Sequence, residues 1–260
     1  MDSLKITKNL FSYKVVLYES TVHRCTDIRF PMSQEDKYNS ALFRAKKIIR
    51  EYSFNNKWDY FITLTISPKN YDRYKDKEKI VKRILKYFDN YRQTIDSSFR
   101  YLIVPELHED GAIHFHGYVI MDKKEVLKFQ YYDKKYFRAI YSHNYLLKNF
   151  GRSQFVQIKS HTVASANYIT KYLIKDSKRI FNRFYYASKG LKRDQVIYSG
   201  YGLGFLAYDI ATNQLKLKIH QNDYVSSFFL SDSLYDNFVD NLIQMANKFD
   251  YNIPSFVYVM

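Results

Sequence analysis

The segment from Tyr101 to Ile120 constrains the fold more than any other part of the sequence. An apolar, β-prone run that ends at Leu107 is followed by Glu109-Asp110-Gly111, which is turn chemistry with a glycine free to adopt a positive φ angle. An apolar alternation resumes at Ile113. The segment therefore predicts two antiparallel strands joined by a tight turn.

The second predicted strand carries two histidines. His114 and His116 are two residues apart, so their side chains share one face of the strand, and Phe115 points to the other face. A hairpin that turns at Asp110-Gly111 brings Glu106 across from them. A single strand histidine is more often a packed or exposed residue, but two imidazole nitrogens and a carboxylate oxygen together predict a divalent-metal site with open positions for water or phosphate oxygens.

Length and composition indicate a globular protein. With 260 residues and 46% apolar residues, the chain can form one large domain or a domain with an extension. Cys25 is the only cysteine, which excludes an internal disulfide and a thiolate zinc cluster. Because no run of 18 apolar residues and no apolar signal core are present, we expect a soluble, cytoplasmic protein with no membrane partner.

The basic charge is concentrated in one part of the chain. The formal net charge is +15, and residues 122–195 hold 17 Lys and Arg against 5 Asp and Glu. Tyrosine and phenylalanine are interleaved with these cations. Cations neutralise phosphates and aromatic rings stack on bases, so the segment predicts a nucleic-acid partner. The interleaved aromatic residues are Tyr131, Tyr132, Tyr136, Phe137, Tyr141 and Tyr145.

The flanking elements predict an α+β fold. Ser33 and Asp36 resemble a capping box for a helix that reaches about Tyr52, and residues 58–67 form the clearest central strand. A helix is expected from about Asp76 to Ile95, because apolar residues recur there at intervals of three and four. Strand, helix and hairpin in this order are typical of an antiparallel sheet with helices on its faces.

Other segments give weaker patterns. Two short strands are expected between residues 9 and 30. Residues 122–160 look irregular, with short helices near 123–129 and 141–150 and a strand at 153–158. Residues 205–208 and 214–219 are expected to pair as strands, and 232–249 to form an amphipathic helix. No phosphate-binding loop of the nucleoside triphosphatases is present, which argues against a helicase within this chain.

A pair of tyrosines supplies candidate nucleophiles. The pattern from Thr162 to Asp176 is helical, so Tyr168 and Tyr172 lie one turn apart on one face, with Lys171 and Lys175 nearby. Tyrosines at this spacing are more often core residues. Beside a metal-bound phosphate, however, a phenolate can attack phosphorus, and a lysine can bind the phosphate or lower the phenol pKa.

The motifs together resemble the HUH endonucleases that initiate rolling-circle replication. The resemblance rests on Phe61-Ile62-Thr63-Leu64-Thr65, then Glu106 with His114-Phe115-His116, then Tyr168 to Lys175. The doubled tyrosine resembles the initiators of small single-stranded DNA phages and related plasmids. The run that starts at Glu106 resembles the metal-binding turn of plant and animal single-stranded DNA virus initiators. The motifs span roughly the middle half of the chain.

The resemblance implies a fold, a cofactor and a reaction. It implies an RRM-like (ferredoxin-like) five-stranded antiparallel sheet flanked by helices, with the histidines on a central strand and with N- and C-terminal extensions. It also implies Mg²⁺ or Mn²⁺, a nick in single-stranded or hairpin origin DNA, and a covalent 5′-phosphotyrosyl intermediate that is later rejoined. A bacterial host and a host helicase as a further partner are expected. Tyr172 to Asp176 also matches the single-tyrosine form of the motif, and the order of attack stays open.

Three other classes of protein share some of these features. A relaxase usually has a third histidine and an N-terminal tyrosine, and a transposase usually has one tyrosine. A non-catalytic single-stranded nucleic-acid-binding domain would explain the charge but not the convergence of Glu106, His114 and His116. A phosphodiesterase normally needs a second histidine motif, which the remaining histidines do not form. These are His23, His108, His143, His161 and His220.

The expected organisation has three parts. Residues 1–57 form N-terminal strands and a helix packed on the core. Residues 58–195 form the endonuclease domain, and residues 196–260 form a C-terminal accessory region with no basic excess.

Overall fold

A computed structural model describes residues 3–10, 12–18, 33–107, 110–159, 183–221, 225–249 and 251. The chain divides into two compact units. The central unit is Ser33–Lys192, and the terminal unit combines Met1–Met32 with Arg193–Met260. These boundaries differ from the three-part organisation expected from the sequence, because the N-terminal strands pair with C-terminal strands in one sheet, while the helix after Ser33 belongs to the central unit.

The central unit is built on a seven-stranded sheet. Its strands follow the order β6-β7-β8-β3-β5-β4-β9, and all described pairings are antiparallel. The fold is therefore α+β, as the sequence predicts, but the histidine strand lies in a sheet of seven strands and not five. The elements are α1 (Gln34–Asn55), β3 (Tyr60–Ile66), α2 (Lys77–Thr94), β4 (Arg100–Leu107), β5 (Ile113–Ile120), a 3₁₀ turn (Lys124–Val126), β6 (Leu127–Asp133), β7 (Arg138–His143), α3 (Asn144–Asn149), β8 (Gly151–Gln157) and β9 (Tyr186–Ala187).

The terminal unit has a second sheet. Its strand order is β10-β1-β2-β12-β11, and α4 and α5 supply apolar residues to its core. The strand at Ser3–Lys8 was not predicted. The predicted strands at 205–208 and 214–219 were wrong, because a helix and a π-helical turn occupy 204–214. The elements are β1 (Ser3–Lys8), β2 (Tyr13–Tyr18), β10 (Gln195–Tyr201), α4 (Gly204–Asp209), the turn Ile210–Gln214, β11 (His220–Gln221), β12 (Val225–Leu230) and α5 (Asp232–Lys248).

The alternation of β3 assigns the two faces of the central sheet. Ile62, Leu64 and Ile66 are buried in one core cluster with the apolar stripe of α2, which includes Ile80 and Ile84. Burial of such side chains contributes roughly 1.5–3 kcal/mol each. The opposite face carries Phe61, Thr63 and Thr65, which are only half-buried. This face is the one that bears the histidines.

Helix α1 begins and packs as the sequence predicts. The Ser33 side chain accepts a hydrogen bond from the Asp36 backbone N–H at 3.0 Å, which caps the helix. Ile49 of this helix joins Trp58, Leu102 and Tyr118 in a buried cluster. Leu102 and Tyr118 are paired across β4 and β5, so α1 covers one end of the histidine face and leaves the other end to the site.

A hairpin replaces the irregular segment expected after residue 122. Residues 123–129 were predicted as a helix, but β6 and β7 form a two-stranded ribbon there. The β6 residues from Lys128 to Tyr132 are exposed, so no face of the strand is consistently apolar and the two-residue alternation that marks a half-buried strand is lost. The expected strand at 153–158 corresponds to β8.

None of the helices in the described residues is both long enough and apolar enough to cross a membrane.

A buried imidazole makes the stability of the central unit depend on pH. His143 lies at the end of β7, and its Nε2 is 3.1 Å from the Tyr87 hydroxyl. Burial lowers the pKa of His143 from 6.5 to about 4. The unfolded chain therefore binds a proton between these two pH values that the native chain does not, so stability falls as pH decreases through this window.

We expect His143→Gln to reduce this pH dependence. Between pH 7 and 4.5 the wild-type central unit should lose about 2–3 kcal/mol more stability than the variant, since each pKa unit corresponds to about 1.4 kcal/mol. The fluorescence of Trp58, the single tryptophan, reports urea unfolding of this unit. His220→Gln, at an exposed position of the terminal unit, should keep the wild-type dependence. Equal pH slopes for His143→Gln and wild type would contradict a role for this buried imidazole.

Candidate metal centre and nucleic-acid face

The pairing of β4 with β5 brings the three predicted ligands to one face of the sheet. Glu106 pairs directly with His114, and His116 pairs with Val104 on one side and Thr63 on the other. Residues that pair directly across strands, and residues two apart on a strand, share a face. The hairpin and the common face of the three side chains are therefore as the sequence predicts.

The side chains of this group are in contact. Glu106 Oε2 and His116 Nε2 are 2.6 Å apart, and the ring centroids of the two histidines are 4.7 Å apart. His114 is buried, whereas the His116 and Glu106 side chains keep 22% and 30% of their surface exposed. The exposed edge of the group is thus formed by one imidazole and one carboxylate.

The arrangement differs from a preformed metal centre. Among the residues that the structure describes, no three His, Cys, Asp or Glu side chains are arranged to hold a metal ion. The distance between Glu106 Oε2 and His116 Nε2 explains part of this result. The two donor atoms are in direct hydrogen-bonding contact, and this contact must open before both atoms can bind the same cation.

The donor set itself fits a divalent cation. Glu106 offers a carboxylate oxygen, and His114 and His116 offer imidazole nitrogens. Carboxylates suit Mg²⁺ and Mn²⁺, while imidazoles suit transition metals, so the mixture favours Mn²⁺ over Mg²⁺. The chemistry of these residues is consistent with the metal that the sequence motifs imply.

Thr63 holds the second nitrogen of His116. The Thr63 hydroxyl lies 3.2 Å from His116 Nδ1, and the Phe61 ring stacks on the imidazole with centroids 5.9 Å apart. A partner on Nδ1 fixes the ring orientation and directs Nε2 toward Glu106. The first sequence motif contains Thr63, but no role for this residue was predicted because the cross-strand pairing is not visible locally.

A polar row continues from the histidines across the same face. Thr65 and Thr63 pair with Arg152 and Gln154 of β8. The Tyr131 hydroxyl of β6 accepts hydrogen bonds from Arg152 at 3.2 Å and from Gln154 at 3.0 Å. Sequence reasoning included Tyr131 among the interleaved aromatics but missed Arg152 and Gln154, since only the sheet register places them beside the site.

The turn beside the site is anchored by the loop before α2. Gly111 adopts φ +81°, the positive value that the sequence predicts. Asp110 accepts a backbone hydrogen bond from Ala112 at 2.9 Å and forms an ion pair with Arg73 at 3.5 Å. These contacts fix the start of β5 and thereby the position of His114.

The remaining predicted residues, Tyr168, Tyr172, Lys171 and Lys175, lie outside the described residues. Several tyrosines that are described belong to the core instead. Burial raises the pKa of Tyr91, Tyr101 and Tyr186 to about 12. A raised pKa lowers the fraction of phenolate at neutral pH, which makes these three poor nucleophiles.

Residues 59–177 match a family model for the replication-associated protein ORF2. The matched range contains β3, the Glu106 and histidine hairpin, and all four predicted tyrosine and lysine positions. No curated protein matches the chain.

One solved structure is weakly similar to this chain. It is the N-terminal nuclease domain of non-structural protein 1 of minute virus of mice, described with Zn²⁺ coordinated in its active-site pocket. The identity is 14%, the alignment covers 92% of this chain and 93% of that chain, and the TM-score is 0.13. A TM-score this low supports no argument about fold or activity.

Close approach of β4 and β5 requires Gly117, which is adjacent to His116. A Cβ atom at this position would overlap the Leu102 carbonyl oxygen of β4. We expect Gly117→Ala to destabilise the central unit by about 1–3 kcal/mol, because an added methyl group in a packed interior forces the backbone to move. Urea unfolding followed by Trp58 fluorescence measures the change.

Gly111→Asn is the matched control for this variant. Asparagine tolerates positive φ, and a Cβ at Gly111 would be 4.0 Å from Tyr74 at the nearest. The control should lose less stability than Gly117→Ala. An unchanged unfolding midpoint for Gly117→Ala would show that the two strands can separate without cost.

Proposed function

We propose, because residues 59–177 of this chain belong to the replication-associated protein ORF2 family, that the protein initiates rolling-circle replication by nicking origin DNA. The DNA is single-stranded or an extruded hairpin. The observation that carries the proposal is the convergence of Glu106, His114 and His116 on one face of the sheet within the matched segment. The family description favours replication over transposition or plasmid mobilisation.

In this proposal Glu106, His114 and His116 hold Mg²⁺ or Mn²⁺. The bound cation supplies neutralisation of the negative charge on a non-bridging phosphate oxygen. Thr63 keeps His116 oriented through Nδ1. The hydrogen bond between Glu106 and His116 holds both side chains near the positions that metal binding needs, and it is given up when the cation binds.

Tyr168 and Tyr172 are the proposed nucleophiles. The phenol loses its proton and its oxygen attacks phosphorus in line. A bond from the tyrosine oxygen to phosphorus forms, the bond from phosphorus to the 3′ oxygen breaks, and the released 3′ oxygen takes up a proton. Lys171 and Lys175 bind the phosphate and lower the phenol pKa through their positive charge. Reversal of the same steps rejoins the strand.

We also propose that the central sheet is an enlarged RRM-like sheet. The segment β3-α2-β4-β5 followed by β8 has the spatial order β8-β3-β5-β4, which agrees with a ferredoxin-like arrangement. The ribbon β6–β7 and the short α3 stand between β5 and β8 in the chain, and β9 extends the other edge of the sheet. A host helicase partner and a bacterial cytoplasm stay predictions.

A non-catalytic single-stranded nucleic-acid-binding domain is the second candidate. One observation favours it. Among the described residues no three potential ligands are arranged to hold a metal. Such a domain would bind DNA without a metal and would form no covalent product.

Metal binding by the unmodified chain is the first expected outcome. Isothermal titration with Mn²⁺ alone should show one site on the wild type. Glu106→Gln should bind at least about tenfold more weakly, because a neutral amide replaces the anionic ligand. Glu125→Gln removes an exposed carboxylate away from the site and should bind like the wild type. Equal affinity of all three proteins would exclude Glu106 as a ligand.

Formation of a covalent protein–DNA adduct is the second expected outcome. Labelled single-stranded DNA from the protein's own genetic element, incubated with Mn²⁺, should give a protein-linked band on a denaturing gel that EDTA abolishes. Tyr168→Phe and Tyr172→Phe together should remove the band, and the single variants assign the nucleophile. Tyr145→Phe, at an exposed tyrosine of α3, should retain it. DNA binding with no adduct under Mn²⁺ or Mg²⁺ would favour the second candidate.

A further inference from the structure

The β6–β7 ribbon, residues 127–143, extends beyond the sheet. Pairing of β7 with β8 involves only Ile140 and Tyr141, while β6 and β7 pair with each other from Leu127 to His143. Strand β6 is an edge strand, and residues Lys128 to Tyr132 are exposed. A two-stranded ribbon with so little apolar burial adds little to the core, so its exposed side chains need another explanation. We call residues 127–143 the arm.

The arm combines exposed aromatic rings with cations. Phe137 is 75% exposed at its tip, and Tyr136 is flanked by two cations, with Lys135 Nζ 5.1 Å and Arg138 Cζ 4.8 Å from its ring centroid. Exposed large apolar side chains that cluster in this way mark an interaction surface. Lys128, Lys134, Lys135 and Arg138 are opposed in the arm only by Asp133, so the surface is complementary to an anion.

The tip is held in one conformation before any partner binds. Asp133 Oδ1 accepts hydrogen bonds from the backbone N–H groups of Lys135 and Tyr136, at 3.1 and 3.3 Å. Its other oxygen is 3.4 Å from Arg138 Nε. Phe137 adopts φ +50°, a left-handed conformation that is unfavourable for a bulky residue. An exposed phenylalanine in such a conformation contributes little to folding, which points to a role in contact with a ligand.

The base of the arm leads to the candidate metal centre. Tyr131 of the arm binds Arg152 and Gln154, and these residues pair with Thr65 and Thr63, which in turn pair with His114 and His116. The row crosses from β6 to β5, four strand spacings or roughly 19 Å. Every member can form hydrogen bonds, and Arg152 adds a positive charge.

We propose that the arm binds single-stranded nucleic acid and that the row from Tyr131 to Thr63 guides the strand to the face of Glu106, His114 and His116. This inference rests on the proposed function and adds to it the surface that holds the substrate beyond the reacting phosphate. Unpaired bases can stack on the Phe137 ring, whereas the bases of a duplex are already stacked on each other. The cations of the arm offset the phosphates.

Fluorescence anisotropy with the full chain tests the aromatic contact. The probes are a labelled 30-nucleotide single strand of mixed sequence and the same sequence as a duplex, both in EDTA so that no cleavage occurs. Phe137→Asn removes the ring while suiting the left-handed backbone, so the fold is retained. Its dissociation constant for the single strand should rise at least about fivefold, the lower limit for loss of one stacked base. Phe43→Ala removes an equally exposed ring from α1 and should bind like the wild type.

The salt dependence tests the cations. Lys134→Ala with Lys135→Ala should lower the slope of log affinity against log salt by about 1.4, since each phosphate contact on a single strand contributes about 0.7. Lys79→Ala with Lys86→Ala removes the same charge from α2, which packs on the opposite face of the sheet, and should leave the slope near its wild-type value.

The results separate this inference from the proposed function. Weaker single-strand binding by the arm variants, with the α1 and α2 controls unchanged, supports the arm whether or not the wild type forms an adduct. An unchanged dissociation constant and slope for the arm variants would overturn the inference, even if the adduct forms. Equal weakening in the control variants, or duplex binding as tight as single-strand binding, would also overturn it.

Discussion

The backbone register between β4 and β5 is the constraint on which the candidate site depends. It places Glu106 opposite His114 and, through the two-residue period of a strand, beside His116. A slip of one residue would turn Glu106 into the α2 side of the sheet and leave the histidines without a carboxylate. Gly117 permits the close approach of the two strands, and the contacts of Asp110 with Arg73 and Ala112 hold the turn that sets the register.

The two faces of the central sheet divide stability from chemistry. On one face, the apolar residues of β3 and β5 pack with α2 and exclude water. On the other, α1 covers only the end near Trp58 and Tyr118, and the polar row from Glu106 to Tyr131 remains accessible. One strand therefore serves both purposes, because alternate residues point to opposite faces. The packed face keeps the polar face rigid enough to position its side chains.

Local sequence patterns predicted the elements whose signals are local. The Ser33 cap, the stripe of α2 and the hairpin at Gly111 follow from capping, periodicity and turn chemistry, and the structure contains all three. The Glu106 and histidine group was also predictable, because a tight hairpin converts sequence distance into strand pairing.

Features that depend on distant pairing were not predictable. The β6–β7 arm escaped prediction because it is exposed on both faces and has no alternation to detect. The joining of β1 and β2 with β10 and β12 escaped because pairing over nearly two hundred residues leaves no local trace. Arg152 and Gln154 belong beside the site only through the β3–β8 register.

The most direct test of the central claim is pulsed electron paramagnetic resonance of Mn²⁺ bound to the protein labelled with ¹⁵N-histidine. We expect hyperfine couplings from two imidazole nitrogens, with one lost in His114→Gln and the other in His116→Gln. A spectrum of bound Mn²⁺ with no histidine coupling, or one unchanged by both substitutions, would contradict the assignment of this face as the metal centre.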